Sequence, residues 1–364
     1  KVDSRYTVEK SKEQVRPEGK PQEIDFSRYI KEWAIKYGFS AQQAKAEIDE
    51  WVADAEQRDD PYELGLAAYA KKHFGEAGKL FEESAAGKAR RAREASATTQ
   101  ELREEAIRDF RLAGDAHTSN YHFDHALLAY QQARELTSQV DHPRLWANLT
   151  MLIGNTESKI GVQTDGDRIH RHLGNAAVAY RAALSVRTKD ALPQQWATTQ
   201  NNLGLVLRAQ GTRTGGEAGT QLLAQAVDAY RTALTVRTKD ALPQQWAMTQ
   251  NNLGTVLHNP GTRTGGEAGT TLLAQAVAAY RAALTVYTKD ALPQDWAMTQ
   301  NNLGAVLWNQ GTRTGGAEGR RLLRQAIVAY QLALQVRTKG TLPVQWEQTM
   351  ENLALAEKAL ADMP

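Results

Sequence analysis

Two groups of side chains in this chain, one of histidines with an aspartate and one of two histidines, have a spacing that could serve metal chemistry. The groups are His117, His122, Asp124 and His125 in one predicted turn between helices, and His170 with His172 in the next. Imidazole and carboxylate groups bind zinc when they converge on one point, which turn residues need not do. Neither group contains a helical pair of histidines four residues apart beside a glutamate. We therefore expect surface histidines, no metal and no enzyme activity.

A glycine-rich segment with the sequence GTRTGG occurs at 211–216, 261–266 and 311–316. Backbone N–H groups at such a helix start point outward and would favour a bound anion. However, no lysine followed by serine or threonine closes the segment, as a phosphate-binding loop requires. Three identical copies instead favour a shared turn in which Arg213 pairs with Glu217. The chain also lacks the Gly-x-Ser-x-Gly, paired-acid and dinucleotide-binding motifs of common enzymes.

The overall composition excludes several classes of partner and cofactor. The chain has 44 Lys and Arg residues against 42 Asp and Glu, a formal charge of +2, so we do not expect nucleic acid as a partner. It has no cysteine, which excludes disulfides and zinc–thiolate sites. No apolar run reaches the length of a membrane span. We expect no cofactor and a cytoplasmic location; a periplasmic or membrane-tethered location, through a segment missing before Lys1, is the alternative.

The elements that carry these residues recur with a period of 50 residues. The period is visible in the tryptophans Trp196, Trp246, Trp296 and Trp346, and in the prolines Pro143, Pro193, Pro243, Pro293 and Pro343. Tyrosines repeat in the same register from Tyr130 to Tyr330. An array whose units contact mainly their neighbours builds a long surface rather than a central pocket. The default function of such a surface is to hold another macromolecule.

Each repeated unit contains two predicted helices. Pro193 suits the first helical position, where its missing N–H costs nothing, and Gly211 suits the residue just after a helix. The first helix is therefore expected at about 193–210, with an apolar stripe that includes Trp196 and Leu203. The second helix follows the glycine-rich segment and carries an apolar face of its own: Leu222, Leu223, Ala226, Val227, Tyr230, Ala233 and Leu234.

The pair Leu203-Gly204 in the first helix, with Ala226, Tyr230 and Ala233 in the second, resembles the tetratricopeptide repeat. The unit is longer than the usual one, both in the turn between its helices and in the connection to the next unit. With its Asn-Asn-Leu-Gly motif, it is similar to the enlarged kinesin light chain and nephrocystin type found in bacterial proteins. The resemblance implies an all-α, right-handed α-solenoid in which the first helices line a concave groove. It also implies that an asparagine of the first helix binds peptide backbone.

The pattern also predicts a domain organisation. The expected parts are a linker or tether at 1–23, an N-terminal helical cap at 24–60, an array of about six helix pairs at 61–342, with the 50-residue period beginning at about 101, and a C-terminal capping helix at 343–364. In the first pair, Gly65 lets the second helix approach, and Phe81 is expected to fill the gap between units. Lys88 and the arginines at 90, 91 and 93 are expected on a solvated helix face, with a basic docking patch as the alternative.

Two neighbouring units, 191–240 and 241–290, differ at only nine of 50 positions. Four differences lie on one face of the first helix, at 198/248, 205/255, 208/258 and 209/259. A unit that keeps its core but changes one face is expected if each unit recognises a different part of an extended ligand; drift at exposed positions is the alternative. The predicted groove residues are Thr198, Asn201, Asn202, Leu205, Arg208, Met248, Asn251, Asn252, Thr255, His258, Asn259, Met298, Asn301, Asn302, Ala305, Trp308 and Asn309.

The repeated asparagines and Trp308 each have two interpretations. A side-chain amide offers a donor and an acceptor together, so Asn202, Asn252 and Asn302 are candidates to bind the backbone of a peptide. The alternative is that they bond the neighbouring unit and set the register of the array. Trp308 is the candidate anchor, because an exposed tryptophan is costly unless a partner covers it. Packing on its own neighbouring helix is the alternative.

The sequence therefore favours a non-enzymatic scaffold or adaptor that binds an extended peptide or protein segment in the groove. Two other functions stay open. The polar N-terminal segment is consistent with the sensor or regulatory arm of a larger signalling or effector protein. Near-identical units are also consistent with a self-assembling array, and hence with a homo-oligomer.

Overall fold

The computed structural model describes residues 52–53, 55–94, 99–164 and 166–363. The expected linker at 1–23 and nearly all of the expected cap at 24–60 lie outside the described residues. Within the described part, every regular element is an α-helix, and no helix is both long and apolar enough to cross a membrane. The chain divides into two compact units, Lys1–Val186 and Arg187–Pro364.

The first unit is a stack of helices that pack in chain order. Its helices are α1 (Pro61–Ala70), α2 (Phe74–Glu94), α3 (Thr99–Ser119), α4 (Phe123–Glu135), α5 (Pro143–Gln163) and α6 (Asp167–Leu184). Each helix packs against the next along the chain, from α1 on α2 to α5 on α6. In the part of this unit that the structure describes, these helices form three pairs, α1/α2, α3/α4 and α5/α6.

The second unit repeats the arrangement with greater regularity. Its helices are α7 (Pro193–Thr214), α8 (Gly216–Leu234), α9 (Pro243–Arg263), α10 (Gly266–Leu284), α11 (Pro293–Thr314), α12 (Gly316–Leu334) and α13 (Pro343–Ala361). Consecutive helices pack together, and each first helix also contacts the next first helix, α7 with α9, α9 with α11 and α11 with α13. This sequential packing of helix pairs confirms the expected all-α solenoid.

One contact between a glycine and an aromatic ring recurs inside every pair. A Cβ atom added at Gly204 would lie 2.8 Å from Cε1 of Tyr230, closer than real Cβ atoms approach. The equivalent pairs are Gly65 with Phe81, Gly114 with Tyr130, Gly154 with Tyr180, Gly254 with Tyr280 and Gly304 with Tyr330. The ring therefore packs on the glycine of its own pair. Phe81 also shares a core cluster with Leu112, Ala113 and Ala116 of α3 in the next pair, which agrees with the expectation that it fills the gap between units.

Small side chains flank each ring and complete the interface within a pair. Ala226 and Ala233 are fully buried on either side of Tyr230, and Leu203 is buried on the first helix. Burying a side chain the size of leucine contributes about 1.5–3 kcal/mol. The apolar periodicity of both helices thus supplies the core of the array, and only the opposite faces remain to contact other molecules.

The turn between paired helices is shorter than the sequence suggests. α7 continues through Gly211 to Thr214 instead of ending near residue 210. Gly211 is needed inside the helix, because an added Cβ would lie 2.7 Å from the carbonyl oxygen of Gly219 on α8. The turn itself is confined to Gly215 and Gly216, whose φ angles of 67° and 55° lie in the left-handed region that favours glycine.

α13 is the last helix that the structure describes. Ala354 stands where the preceding first helices have glycine, and this alanine is exposed. After α13 the chain folds back on α12, where the carbonyl of Met363 accepts a hydrogen bond from Arg320 and the methionine side chain lies against Gly319.

Candidate ligand-binding face

The candidate site is the first-helix face of the second unit, the surface of α7, α9 and α11 that carries the repeated asparagines. Helical spacing places Thr198, Asn202 and Leu205 along one stripe of α7. The equivalent positions form the same stripe on α9 and α11. Because neighbouring first helices contact each other, the three stripes form one continuous surface.

The first asparagine of each pair is buried between neighbouring first helices. Asn201 is only 2% exposed, and its Oδ1 accepts a hydrogen bond from Nδ2 of Asn252 at 3.3 Å. The hydroxyl of Thr249 lies 3.3 Å from the same oxygen and 2.8 Å from the carbonyl of Gln245, so its single proton is shared between them. These bonds join α7 to α9 and fix the register of one unit against the next.

The same bonds recur at the following seams between units. The Thr299 hydroxyl lies 3.2 Å from Oδ1 of Asn251. At the last seam, Oδ1 of Asn301 accepts from Nδ2 of Asn352 at 3.3 Å, and the Thr349 hydroxyl lies 3.2 Å away. We call this set of bonds the asparagine–threonine ladder. It buries a polar network that is satisfied at each step, as a stable interior requires.

Burial separates the two asparagines of each pair. Of the predicted groove residues, Asn201, Asn251 and Asn301 are buried in the ladder, so the register interpretation applies to them. The second asparagines differ along the array: Asn202 and Asn252 are half-buried, whereas Asn302 is buried. Asn252 already uses one N–H on Asn201. Only Asn202 and Asn252 therefore have side-chain amides that are partly exposed on this face.

An arginine that the sequence analysis did not select lies beneath this face. Arg237, just after α8, donates from Nη1 to Thr249 and from Nη2 to Thr198, each at 3.0 Å. It is 2% exposed, and burial lowers its pKa to about 10. Arg337 reaches Thr349 in the same way at 3.3 Å. The sequence did contain a signal for Arg237, because this position is one of the nine at which the two near-identical units differ.

Two sets of accessible positions on the face vary from unit to unit. Met248 is 38% exposed, and Thr198 and Met298 are half-buried at the equivalent positions. One turn further on, the half-buried side chains are Leu205, Thr255 and Ala305. Methionine adapts its shape to irregular apolar partners. The accessible stripe is therefore uncharged, it mixes apolar with neutral polar side chains, and its composition changes from one unit to the next.

The remaining predicted groove residues lie in the seams between units. Arg208 is buried, beside the hydroxyl of Tyr230. Burial raises the pKa of Tyr230, and the guanidinium beside it partly opposes that rise. On the next helices, Asn259 donates to Thr212 at 3.1 Å, and Nδ2 of Asn309 lies 2.8 Å from Nε2 of His258. The expectation that Arg208 presents an exposed cation is wrong, because it packs inside the array.

Trp308 occupies the place of Arg208 and His258 on the third first helix. It is half-buried, and its indole N–H is enclosed without an acceptor among the described residues. Packing against neighbouring helices therefore accounts for part of its surface. Its role as an anchor for a partner stays a prediction.

The GTRTGG segments join units instead of forming anion sites. Arg263 donates to the carbonyl of Thr212 at 3.2 Å, at the end of the preceding first helix. Arg313 donates to the carbonyls at the end of α9: Gly261 at 2.5 Å, Thr264 at 3.0 Å, and Thr262. Arg213 bonds a carbonyl of its own helix, and the expected pairing with Glu217 is not the contact formed. Cations are favoured at a helix C-terminus by its partial negative charge.

The histidines lie mostly on helices, not in turns. His117 on α3 is buried, and its Nε2 lies 2.8 Å from Oε1 of Glu82. His172 on α6 is also buried, with Nδ1 lying 2.6 Å from Oε2 of Glu157. These two are packed residues, contrary to the expectation of surface histidines. In the described part of the chain, no group of three or more histidine and acidic side chains is arranged to hold a metal ion.

The basic stretch on α2 is divided by the fold. Lys88 is mostly buried and lies 2.6 Å from the fully buried carboxylate of Asp109, over the ring of Tyr62. Arg90 and Arg91 are exposed. Lys88 is therefore a packed ion-pair partner, and the expectation of a uniformly solvated basic face is wrong at this residue.

Pairs of helices packed in chain order, each with an aromatic ring on a glycine, define the repeat. This arrangement is similar to that of the tetratricopeptide repeat. No protein-family model matches it, and no curated protein matches it. Among solved structures, BtubC (BKLC) from P. vanneervenii is 19% identical, with 72% of this chain and 91% of that chain covered and a TM-score of 0.45.

Two further solved structures match over most of the chain. The C-terminal part of a TPR repeat-containing protein from Cytophaga hutchinsonii is 10% identical, with 82% and 99% covered and a TM-score of 0.45. The TPR2AB domain of yeast Sti1, in complex with pHSP90, is 13% identical, with 84% and 99% covered and a TM-score of 0.27. The likeness to the tetratricopeptide repeat rests on the helix pairing and the glycine contacts of this chain itself.

Proposed function

We propose that this chain is an interaction scaffold that binds an extended peptide or protein segment along the first-helix face of its second unit. The ligand would lie across α7, α9 and α11, with one part of it on each helix. The array would serve as a rigid support, since each unit is locked to the next by buried bonds. A preorganised surface loses little conformational freedom on binding.

The observation that carries the proposal is the separation of constant from variable residues on one face. The ladder residues Asn201 and Thr249, with their equivalents, are constant and buried between units. The accessible positions beside them change from Thr198 to Met248, and from Leu205 to Thr255. Drift would act equally on any exposed position. Changes beside an unchanged framework support recognition of different ligand groups by successive helices.

The chemistry of the accessible stripe indicates how the segment would be held. Met248, Met298 and Leu205 offer apolar contact, while the half-buried amides of Asn202 and Asn252 lie within the same stripe. An extended segment presents apolar side chains and backbone amides together, so it matches both kinds of group. We expect affinity to come mainly from the apolar contacts, and orientation from the amides.

A selection from a display library of unstructured peptides on the full chain tests this function. A selected peptide is then measured by fluorescence anisotropy against Met248→Glu and against a matched control, Val328→Glu. Both replace an exposed apolar side chain by a carboxylate, but Val328 lies on α12, a second helix. We expect about a tenfold loss for Met248→Glu, which corresponds to about 1.4 kcal/mol, and none for the control.

The opposite results are equally informative. Peptides that bind both variants as tightly as the unmodified chain would place the binding surface elsewhere and refute the proposal. A loss with both variants would show that added negative charge, rather than the first-helix face, governs binding. Circular dichroism of each variant checks that the helices are intact.

A further inference from the structure

Arg237 is a buried cation without a counter-charge. Only 2% of the surface of Arg237 is exposed. No carboxylate of the described residues forms an ion pair with it. Its two hydrogen-bond partners, Thr198 and Thr249, are neutral hydroxyls. The lowered pKa of its guanidinium is caused by burial, with no charged neighbour contributing. Buried charges are normally paired, so this one lacks the usual compensation.

The guanidinium also has hydrogen-bonding capacity to spare. A guanidinium carries five N–H donors in a planar fork that matches the two oxygens of a carboxylate or phosphate. The Nη1 donor of Arg237 is used on the ladder, at Thr249, and its Nε–H has no acceptor. Nη2 points to Thr198, on the first-helix face. The guanidinium therefore keeps N–H groups that no described residue uses, and one of its nitrogens, Nη2, already reaches the first-helix face.

Arg237 is not needed to hold the ladder. In the next unit its place is taken by Tyr287, and the ladder bond between Thr299 and Asn251 forms at 3.2 Å without any arginine. A tyrosine at this position also packs well, since Tyr287 is buried. Arg237 is thus a buried cation at a position where a tyrosine, as at 287, would also allow the ladder bond between units to form.

The chain shows that a carboxylate fits beside this position. Asp295 lies near Tyr287 and helps to raise its pKa, after burial. The residue that corresponds to Asp295 in the preceding unit is Gln245, eight positions after Arg237. An acid is thus present where no arginine needs it and absent where the arginine is unpaired. We take this as evidence that the anion for Arg237 comes from outside the chain.

Thr198 provides the route to the surface. It is half-buried on the first-helix face, and its hydroxyl lies 3.0 Å from Nη2 of Arg237. In the second unit this combination occurs once: the residues equivalent to Thr198 are Met248 and Met298, so Arg337 has no such hydroxyl beside it. A small rotation of the threonine side chain would give an arriving oxygen access to both the hydroxyl and Nη2.

We propose that Arg237 and Thr198 form an oxyanion-binding subsite, and that its occupant is the carboxylate of an acidic side chain in the bound segment. The inference rests on the proposed function for the source of the anion but not for the subsite itself. Nη2 would donate to one carboxylate oxygen. The Thr198 hydroxyl, which in the structure donates to the carbonyl of Gln194 at 2.9 Å, would turn its proton to the other oxygen. A free anion such as phosphate presents the same oxygens, and the experiment separates the two sources.

Thermal unfolding in acetate or phosphate, against sodium chloride at equal ionic strength, tests the subsite on the full chain. A ligand that binds only the folded state raises the melting temperature of the protein. We expect acetate or phosphate to raise it by about 2–4 °C relative to sodium chloride. The matched variant is Arg237→Tyr with Gln245→Asp, which copies residues that the chain already holds at 287 and 295. We expect this variant to fold and to show no rise.

Gln245→Asp alone provides a second measurement. It supplies an internal carboxylate, so we expect a higher melting temperature in chloride and no further rise with acetate or phosphate. Thr198→Met, which copies the next unit, should weaken the response several-fold. An equal rise in melting temperature for the unmodified chain and for the Arg237→Tyr, Gln245→Asp variant would overturn the subsite. No rise for either protein would also overturn it. A lower melting temperature for Gln245→Asp in chloride would contradict the unpaired state of Arg237.

Peptides then identify the source of the anion. The probes are two labelled peptides of alternating glycine and serine, one with a central Glu and the other with Gln in its place. We expect the Glu peptide to bind the unmodified chain about tenfold more tightly, and the difference to vanish in the Arg237→Tyr, Gln245→Asp variant. A phosphate response without discrimination between the peptides would keep the subsite, assign it to a free anion, and count against the proposed peptide function.

Discussion

The contact between Gly254 and Tyr280 yields a prediction whose sign is unusual for a helix. Alanine is favoured over glycine inside a helix by about 1 kcal/mol, so Gly254→Ala would stabilise an isolated α9. In the array, however, the new Cβ would lie 2.9 Å from both Cε1 and Cζ of Tyr280. Overpacking of this kind costs about 1–3 kcal/mol. We expect a net destabilisation of about 1 kcal/mol.

Ala354 on α13 supplies the matched control. It occupies the equivalent position and is exposed, so no aromatic ring covers it in the structure. Ala354→Gly should therefore show propensity alone and destabilise α13 by about 1 kcal/mol. The same pair of residues is thus exchanged in opposite directions at the two sites, and both exchanges are expected to destabilise. Propensity alone would predict opposite signs.

The assay is urea unfolding followed by circular dichroism, with hydrogen exchange to localise the effect. Exchange is needed because repeat arrays can unfold unit by unit. A third variant, Gly254→Ala with Tyr280→Leu, removes the ring atoms that meet the new Cβ. In the Tyr280→Leu background we expect Gly254→Ala to be neutral or stabilising. A stabilising effect of Gly254→Ala alone, or an equal loss in both backgrounds, would refute the packing argument.

Three further predictions concern the seams between units. Asn251→Ala should destabilise the contact of α9 with α11 by about 1–2 kcal/mol, because the Thr299 bond is lost, and faster amide exchange in α11 would show it. Arg313→Gln should cost about 1 kcal/mol and speed exchange at the end of α9, since three carbonyls lose their donor; unchanged exchange there would contradict the capping role. Burial raises the pKa of Asp295 in the folded chain, because the ionised carboxylate is poorly solvated there. At pH values above that pKa the ionised group lowers the free energy of unfolding, and this loss shrinks as the pH falls towards the ordinary carboxyl pKa. Asp295→Gln should therefore be more stable than the unmodified chain at neutral pH, and urea unfolding at acidic pH should show that advantage shrinking; an advantage independent of pH would contradict the assignment.

The helix pairs could be predicted from the sequence because each is encoded locally. A glycine in the first helix and a tyrosine in the second, such as Gly204 and Tyr230, recur in register with a stripe of apolar residues on each helix. Those signals need no knowledge of the neighbouring units. The end of α7 was predicted wrongly for a related reason. Glycine serves both as a helix terminator and as a site of close approach, and Gly211 is the latter because of Gly219 on another helix.

The seams were harder to predict, because their bonds join residues in different units. Asn201 bonds Asn252, and it is approached by Thr249, which the linear pattern does not pair with it. Mid-helix asparagines are equally suited to a ligand and to a neighbouring helix when only the pattern is known. Burial distinguishes the two uses, and burial depends on the distance between neighbouring first helices. The same holds for Arg208, whose charge suggested exposure.

The ladder also explains how near-identical units can acquire different surfaces. Bonds such as those of Asn201 are buried and neutral, so they hold the register whatever lies beside them. Thr198 and Arg237 are bonded to each other, and both are among the nine positions at which the next unit differs, where it has Met248 and Tyr287. A hydroxyl and a cation are thus exchanged together for two apolar side chains while the adjacent seam keeps its Thr299 bond. Recognition can therefore change in one unit without a cost to the packing of the next, which is the property that an array reading an extended segment requires.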